Sequence, residues 1–134
     1  PAERESVQLS WLRRFFESPL GRRALAAEET HREWAFNLRG QGQTLIQGVI
    51  DLCFLEEGAW VLTDYKTDRA EEAELLSRYA LQLNWYARAL AGITGRPVRE
   101  MYLFSLRAGR AIPVEPLPET AFQLCAMGAA ASEK

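Results

Sequence analysis

Two apolar segments on either side of Glu56-Glu57-Gly58 constrain the fold most. Residues 44–55 and 59–66 are rich in β-branched and aromatic residues and are bounded by turn residues, which predicts two β-strands. A two-residue connection at Glu57-Gly58 makes these strands a hairpin and fixes their register. In this register Asp51 faces Asp64. Apolar residues occupy both faces of the hairpin, which indicates a central sheet covered on both sides.

The facing acids Asp51 and Asp64 need a compensating positive charge. Opposed residues of an antiparallel pair have Cβ atoms about 4.5–5.5 Å apart, and like charges so placed are destabilising. Lys66 follows two residues after Asp64 and therefore points to the same face. Hard cations such as Mg²⁺ bind one or two carboxylates plus water and substrate phosphate, so the set suits metal-assisted hydrolysis in which the lysine orients water or offsets charge. The alternative is a solvated hairpin face in which Lys66 forms an ordinary salt bridge.

Three motifs then occur in a fixed order along the chain. They are Gly48-x-x-Asp51, Asp64-Tyr65-Lys66-Thr67-Asp68 and Gln82-x-x-x-Tyr86. Together they resemble the PD-(D/E)XK nuclease superfamily, and within it the RecB-like nuclease domains, especially the C-terminal nuclease domains of the AddA family of helicase-nucleases. The resemblance extends from about Arg32 to Glu115.

The resemblance implies a Mg²⁺-dependent or Mn²⁺-dependent deoxyribonuclease of exonuclease type. Asp51, Asp64 and the backbone carbonyl of Tyr65 would bind the metal, and Lys66 would position the attacking water. In the intact protein a helicase motor would deliver single-stranded DNA, a partner subunit would complete the complex, and the whole would act in double-strand-break repair and recombination.

Three further residues are candidates for supporting the site or contacting DNA. Glu33 lies in Glu33-Trp34-Ala35-Phe36, which is similar to an E-x-x-F pattern of the family; the alternative is an exposed residue at a strand end. Gln82 and Tyr86 match the family's third motif. Without the resemblance, Gln82 would be an amide at the edge of an apolar stripe and Tyr86 a core residue. Asp68 is expected to cap a turn or to contact DNA.

Relatives use an additional histidine ligand on a helix upstream, and His31 does not match it. We expect His31 to be exposed at the start of the first strand, and the fragment alone to be weakly active or inactive. Cys53 and Cys125 lack metal-type spacing, so we expect no iron–sulfur cluster and two buried thiols in a reducing cytoplasm. A catalytically silent DNA-binding or scaffold module and a small-molecule phosphatase stay open as alternatives.

Composition is compatible with one domain. The chain has 134 residues, of which 48% are apolar, and this is enough for a core. A net charge of −2 argues against strong non-specific nucleic-acid binding, and no signal peptide or membrane-spanning run occurs. Arginines cluster before the hairpin, on a basic surface or on solvated helix faces: Arg4, Arg13, Arg14, Arg22, Arg23, Arg32 and Arg39.

The predicted elements form an α/β fold, a mixed central sheet flanked by helices. Helices are expected over 1–16, 20–29, 71–93 and 118–131, and further strands over 31–38 and 98–106, with an edge strand ending near 115. The long helix carries an apolar stripe, and the strand after it should pair parallel to the hairpin. The apolar stripe of the long helix comprises Leu75, Tyr79, Leu83, Tyr86, Leu90 and Ile93, and Gln82 lies on or beside this stripe. We therefore expect one nuclease domain, a C-terminal fragment of a larger helicase-nuclease, with a helical lead-in (1–30), a catalytic core (31–115) and a terminal helix (116–134).

Overall fold

A mixed five-stranded sheet lies between two groups of helices. The computed structural model describes the backbone of residues 2–39, 45–120 and 122, and the side chains of 9–37, 47–120 and 122. The sheet order is β1-β2-β3-β4-β5, with β3 and β4 parallel and the other neighbours antiparallel. The elements are α1 (Ala2–Glu17), α2 (Pro19–Ala26), β1 (Glu29–Arg39), β2 (Leu45–Glu56), β3 (Ala59–Lys66), α3 (Glu72–Thr94), β4 (Val98–Ser105) and β5 (Arg110–Pro113). The predicted α/β architecture, the parallel crossover and the edge position of the last strand are confirmed.

The central hairpin has the predicted turn and register. Glu57 and Gly58 both have positive φ, of 50° and 79°, as a type I′ turn requires. Backbone pairs run from Glu56–Ala59 to Leu52–Thr63 in the expected register, but the strands separate before the expected pair of Asp51 with Asp64.

The two faces of the sheet carry separate apolar clusters. Helix α3 covers one face, and the corner formed by α1 and α2 covers the other. At this corner Phe15 is fully buried, and Ser18 accepts a hydrogen bond from the N–H of Gly21, which caps the start of α2. Helix α2 ends at Ala26 and not at Glu29 as predicted, because Glu29 already pairs with Leu55 in β1.

Helix α3 is rotated slightly from the predicted orientation. Leu75, Leu83 and Leu90 are buried as expected, but Ile93 is 49% exposed, so its predicted place in the buried stripe is wrong. The neighbouring Thr94 faces the sheet instead and accepts a hydrogen bond from Trp60 Nε1 at 2.9 Å. Gly95, with a φ of 73°, ends the helix.

Asn84 is a buried polar residue that the sequence pattern did not reveal. Its amide donates to the carbonyls of Ala80 and Glu115 and accepts the N–H of Leu117. These bonds satisfy the buried amide and fix the segment after β5 against α3.

Some predictions concern residues outside the described part of the chain. Cys125 and most of the terminal helix predicted over 118–131 lie there. Cys53 is buried as predicted, and burial raises the pKa of its thiol to about 12. None of the described helices is both long and apolar enough to cross a membrane.

Candidate active site

The candidate site lies where β2 and β3 separate. Their backbone pairing stops at Leu52–Thr63; beyond this point β2 pairs only with β1, and β3 only with β4. The side chain of Asp51 occupies the opening, and its Oδ2 accepts the N–H of Tyr65 at 2.9 Å. A carboxylate thus replaces a carbonyl of the neighbouring strand as the hydrogen-bond acceptor. We call this opening the notch.

A change of side-chain facing in β2 gives the notch its shape. Ile50 belongs to the cluster under α3, whereas Leu52 belongs to the cluster under α1 and α2, although regular alternation would place both on one face. In β1, Glu33 occupies the position opposite Asp51, between the pairs Arg32–Leu52 and Trp34–Ile50. Its φ is 52°, an uncommon value for a residue with a Cβ. Both strands therefore change facing at the same level, as β-bulges do next to functional sites.

Asp64 and Lys66 face the same notch from β3. Asp64 is buried, 7% exposed, and its Oδ2 lies 2.9 Å from Lys66 Nζ. Burial alone would lower the pKa of Lys66, but the hydrogen bond to Asp64 and the nearby acids raise it on balance. The lysine is therefore a cation, and the structure brings together the predicted set of Asp51, Asp64 and Lys66.

The electrostatics of this set fit a divalent cation. Burial, and then the neighbouring carboxyl of Asp64, raise the pKa of Asp51 to about 7, so one lysine does not compensate both acids. The donors are hard oxygens, which Mg²⁺ and Mn²⁺ prefer. Within the described residues no three His, Cys, Asp or Glu side chains converge to hold a metal. Main-chain oxygen, water and substrate phosphate would therefore complete the coordination.

Tyr86 lies over β2 beside the acids. A Cβ built on Gly48 would come within 2.8 Å of the Tyr86 ring and 2.9 Å of the Phe36 ring, so only glycine allows the three residues to pack as they do. Burial and the charge of Asp64 raise the pKa of the Tyr86 hydroxyl. The predicted proximity of Tyr86 to the site is thus visible in the structure, while its role stays a prediction.

Gln82 and Glu33 are less closely associated with the acids. Gln82 is exposed and makes no hydrogen bond to another described residue, because the rotation of α3 turns Leu83 and Asn84 towards the sheet instead. The sequence placed Gln82 on or beside the apolar stripe, and in the structure it lies beside the stripe with its side chain exposed. Glu33 is likewise exposed, although it occupies the strand position opposite Asp51. The supporting roles of both residues stay predictions.

Tyr65 and His31 have their side chains away from the acids. The ring of Tyr65 packs on Phe15 at 5.0 Å, on the other face of the sheet, so only its backbone borders the notch. The ring of His31 stacks on Trp34 at 4.3 Å, and Nε2 lies 3.4 Å from a carboxylate oxygen of Glu29. His31 is partly exposed near the start of β1, where the sequence predicted it.

Sequence reasoning missed Tyr79 as a neighbour of the site. Its ring lies under Lys66, with Nζ 3.8 Å from the ring centroid, and its hydroxyl donates to Asp68 Oδ2 at 2.7 Å. Asp68 also accepts from Arg78 at 3.3 Å, so its carboxylate binds α3 and does not cap the turn as expected. The only signal in the sequence was the position of Tyr79 two helical turns before Tyr86, and a tyrosine in an apolar stripe ordinarily predicts core packing.

Comparison with known proteins agrees with this geometry. The sequence model of the PD-(D/E)XK nuclease superfamily, whose members generally use divalent metals, matches residues 2–131. Proteins named as subunits of an ATP-dependent helicase/nuclease are similar: that of Geobacillus kaustophilus is 40% identical over 134 residues, and that of Clostridium acetobutylicum 34% over 128. Each alignment covers 83% of this chain but only 11% and 10% of the relative, so the chain spans about a tenth of their length. The chain belongs to the PD-(D/E)XK nuclease superfamily.

Proposed function

We propose that this chain is the nuclease domain of an ATP-dependent helicase-nuclease and that it hydrolyses DNA phosphodiester bonds with Mg²⁺. The observation that carries the proposal is the convergence of Asp51, Asp64 and Lys66 in the notch between β2 and β3. The names of the relatives support the nuclease activity and its association with a helicase. The proposed setting is repair and recombination of broken DNA, together with the helicase domains of the parent chain and with a partner subunit.

Each residue of the set has a distinct proposed task. Asp51 and Asp64 would hold Mg²⁺ or Mn²⁺, with the backbone carbonyl of Tyr65 as a further ligand. The cation, when bound, would polarise a phosphoryl oxygen and make water a better nucleophile. Lys66, a partly buried cation bonded to Asp64, would orient the attacking water and offset negative charge that develops on the phosphate. The N–H of Tyr65 keeps the Asp51 carboxylate aimed into the notch.

The supporting residues would act at the border of the notch. Tyr86 would hold the wall formed by Gly48 and Phe36. Exposed Gln82, on the same helix, and exposed Glu33, beside Asp51, are free to contact a DNA strand. These contacts would guide the substrate without taking part in bond cleavage.

A catalytically silent DNA-binding or scaffold module is the second candidate. The observation that favours it is the ion pair between Lys66 and Asp64, because the two residues could serve as a structural salt bridge alone. A silent module could still bind a metal ion but would not cleave DNA, so a cleavage assay separates the two candidates better than metal binding does. Both measurements are therefore needed.

The decisive experiment is cleavage of labelled single-stranded and duplex DNA in Mg²⁺, in Mn²⁺ and in a chelator. Asp64→Asn and Lys66→Met should each lower the rate by about a hundredfold or more, since each removes charge that acts on the reacting phosphate. Glu119→Gln, which removes a carboxylate that is 66% exposed and paired with Arg88, is the matched control and should retain activity. Metal-independent cleavage, or full activity of Asp64→Asn, would contradict the proposal.

Calorimetry with Mn²⁺ separates the remaining outcomes. An inactive chain that binds Mn²⁺ through Asp64 would indicate a formed metal site in an incomplete domain. An inactive chain that does not bind Mn²⁺ would favour the scaffold candidate.

A further inference from the structure

The ammonium group of Lys66 is held from two directions. One is the carboxylate of Asp64, 2.9 Å away, and the other is the aromatic face of Tyr79, with Nζ 3.8 Å from the ring centroid. A lysine side chain has a flexible four-carbon stem and three equivalent donors, so a single hydrogen bond does not fix its orientation. The ring supplies the second constraint through a cation–π contact.

The Tyr79 ring is itself fixed by a chain of polar contacts. Its hydroxyl donates to Asp68 Oδ2 at 2.7 Å, and Arg78 donates to the same oxygen at 3.3 Å. Arg78 also bonds to Glu74, one turn earlier in α3, at 2.6 Å. Asp68 lies in the segment that follows Lys66, so these bonds tie the end of β3 to the first turns of α3. The position of the ring relative to Lys66 is thereby set.

Core packing alone does not account for a tyrosine at this position. Leu75 and Leu83, one turn before and one turn after, are fully buried, whereas Tyr79 is only partly buried. A leucine would fill the same apolar space. What a leucine lacks is an aromatic face for the ammonium group and a hydroxyl for Asp68.

We propose that Tyr79 is a positioning residue for Lys66, with Asp68 holding the ring in place. The inference rests on the proposed function, because Lys66 acts on the reacting groups only if the chain hydrolyses DNA. With Asp64 and Tyr79 on two sides, the ammonium group keeps one direction free for water or phosphate. Loss of the ring leaves Lys66 charged but mobile, which lowers the rate of bond cleavage and not the affinity for DNA.

The kinetic test compares three variants on α3. Tyr79→Leu should lower the single-turnover cleavage rate by about tenfold or more, since small displacements of a catalytic group are costly, and should leave the KM for DNA within about twofold. Tyr79→Phe keeps the ring but loses its bond to Asp68, so its cleavage rate should lie between those of the starting protein and of Tyr79→Leu. Trp85→Leu is the control, because Trp85 also packs against an arginine, Arg88, but does so away from the notch. Equal losses in Tyr79→Leu and Trp85→Leu, or a loss confined to KM, would overturn the proposal.

An NMR experiment tests the contact between Lys66 and Tyr79 without depending on DNA cleavage. The sequence contains two lysines, Lys66 and Lys134, so a chain labelled with ¹³C only at lysine Cε gives two methylene signals. The signal that is missing from the spectrum of Lys66→Arg belongs to Lys66. A Tyr79 ring over the ammonium group should shift the Lys66 signal upfield, in the starting protein and in Tyr79→Phe, and Tyr79→Leu should abolish the shift. An unshifted Lys66 signal in the starting protein would overturn the inference. A shifted Lys66 signal in a chain that neither cleaves DNA nor binds Mn²⁺ would contradict the proposed function and leave the contact between Tyr79 and Lys66 established.

Discussion

Asp51 combines two tasks that conflict in the absence of a cation. Its Oδ2 accepts the N–H of Tyr65, which would otherwise be unpaired where β2 and β3 separate. Its charge, however, faces Asp64, and burial together with this neighbour raises its pKa to about 7. The hydrogen bond stabilises the fold, whereas the second negative charge opposes it. A substitution that keeps the acceptor and removes the charge separates the two effects.

Asp51→Asn should therefore make the metal-free protein more stable. The amide oxygen still accepts the Tyr65 N–H, while the repulsion with Asp64 disappears, so we expect the free energy of unfolding in a chelator to rise by about 1–2 kcal/mol. The same variant should lose the stabilisation that Mn²⁺ gives the starting protein. Urea titrations with and without Mn²⁺ measure both changes. Asp51→Ala is the comparison: it removes charge and acceptor together and should show no gain, and a gain equal to that of Asp51→Asn would contradict the argument.

At the scale of elements, the parts of the fold set by local chemistry were predictable. The Glu57-Gly58 turn and the apolar residues beside it determined the hairpin register, and Gly95 determined the end of α3. The change of facing at Asp51 was not predictable, because it depends on a glutamate, Glu33, held at positive φ by the surrounding strands.

The rotation of α3 was also beyond the sequence pattern. Gln82 and Asn84 are both polar and lie near the same stripe, but tertiary packing exposes the first and buries the second. For the same reason the stripe did not distinguish Tyr79, which contacts Lys66, from a residue that only packs in the core. The motif thus identified the acids and the lysine, and the structure was needed to find what surrounds them.

The packing of α3 on β2 predicts a specific cost for a side chain at position 48. Gly48→Ala would place a Cβ within 2.9 Å of the rings of Tyr86 and Phe36, so we expect a loss of about 1–3 kcal/mol in the free energy of unfolding. Gly92→Ala is the control: nothing lies within 4 Å of its Cβ, and removing a helical glycine should stabilise by about 0.5–1 kcal/mol. Chemical denaturation measures both. An unchanged free energy of unfolding in Gly48→Ala would mean that the Tyr86 ring does not pack tightly against β2.

At the scale of the whole molecule, the two ends of the hairpin have opposite characters. The end with Asp51, Asp64 and Lys66 has separated strands and opposed acids. The turn end carries an ionic network in which Arg23 of α2 bonds to Glu56 of β2 at 2.7 Å and to Glu100 of β4 at 2.8 Å. The network joins the layer of α1 and α2 to two strands of the sheet, β2 and β4, and it stabilises the fold away from the notch.

This network predicts a pH dependence of stability that differs from that of isolated surface pairs. The hydrogen bond from Arg23 lowers the pKa of Glu100 from 4.5 to about 2. A carboxyl whose folded pKa is depressed contributes stability above its unfolded pKa and loses that contribution as the pH falls through the folded value. The contribution should therefore be complete above about pH 5 and should disappear between about pH 5 and pH 2.

Arg23→Met tests this dependence because it keeps the apolar stem and removes the charge. Since Arg23 is 35% exposed and solvent screens the pair, we expect a loss of about 1–2 kcal/mol at pH 7, which shrinks towards pH 2 as Glu100 and Glu56 become protonated in both proteins. Arg110→Met is the control, since Arg110 is 71% exposed and 3.7 Å from Glu72, and its effect should be small at every pH. Urea unfolding at a series of pH values gives the two curves. A difference between Arg23→Met and the starting protein that stays constant from pH 7 to pH 3 would show that Arg23 stabilises the fold by packing and not by its charge.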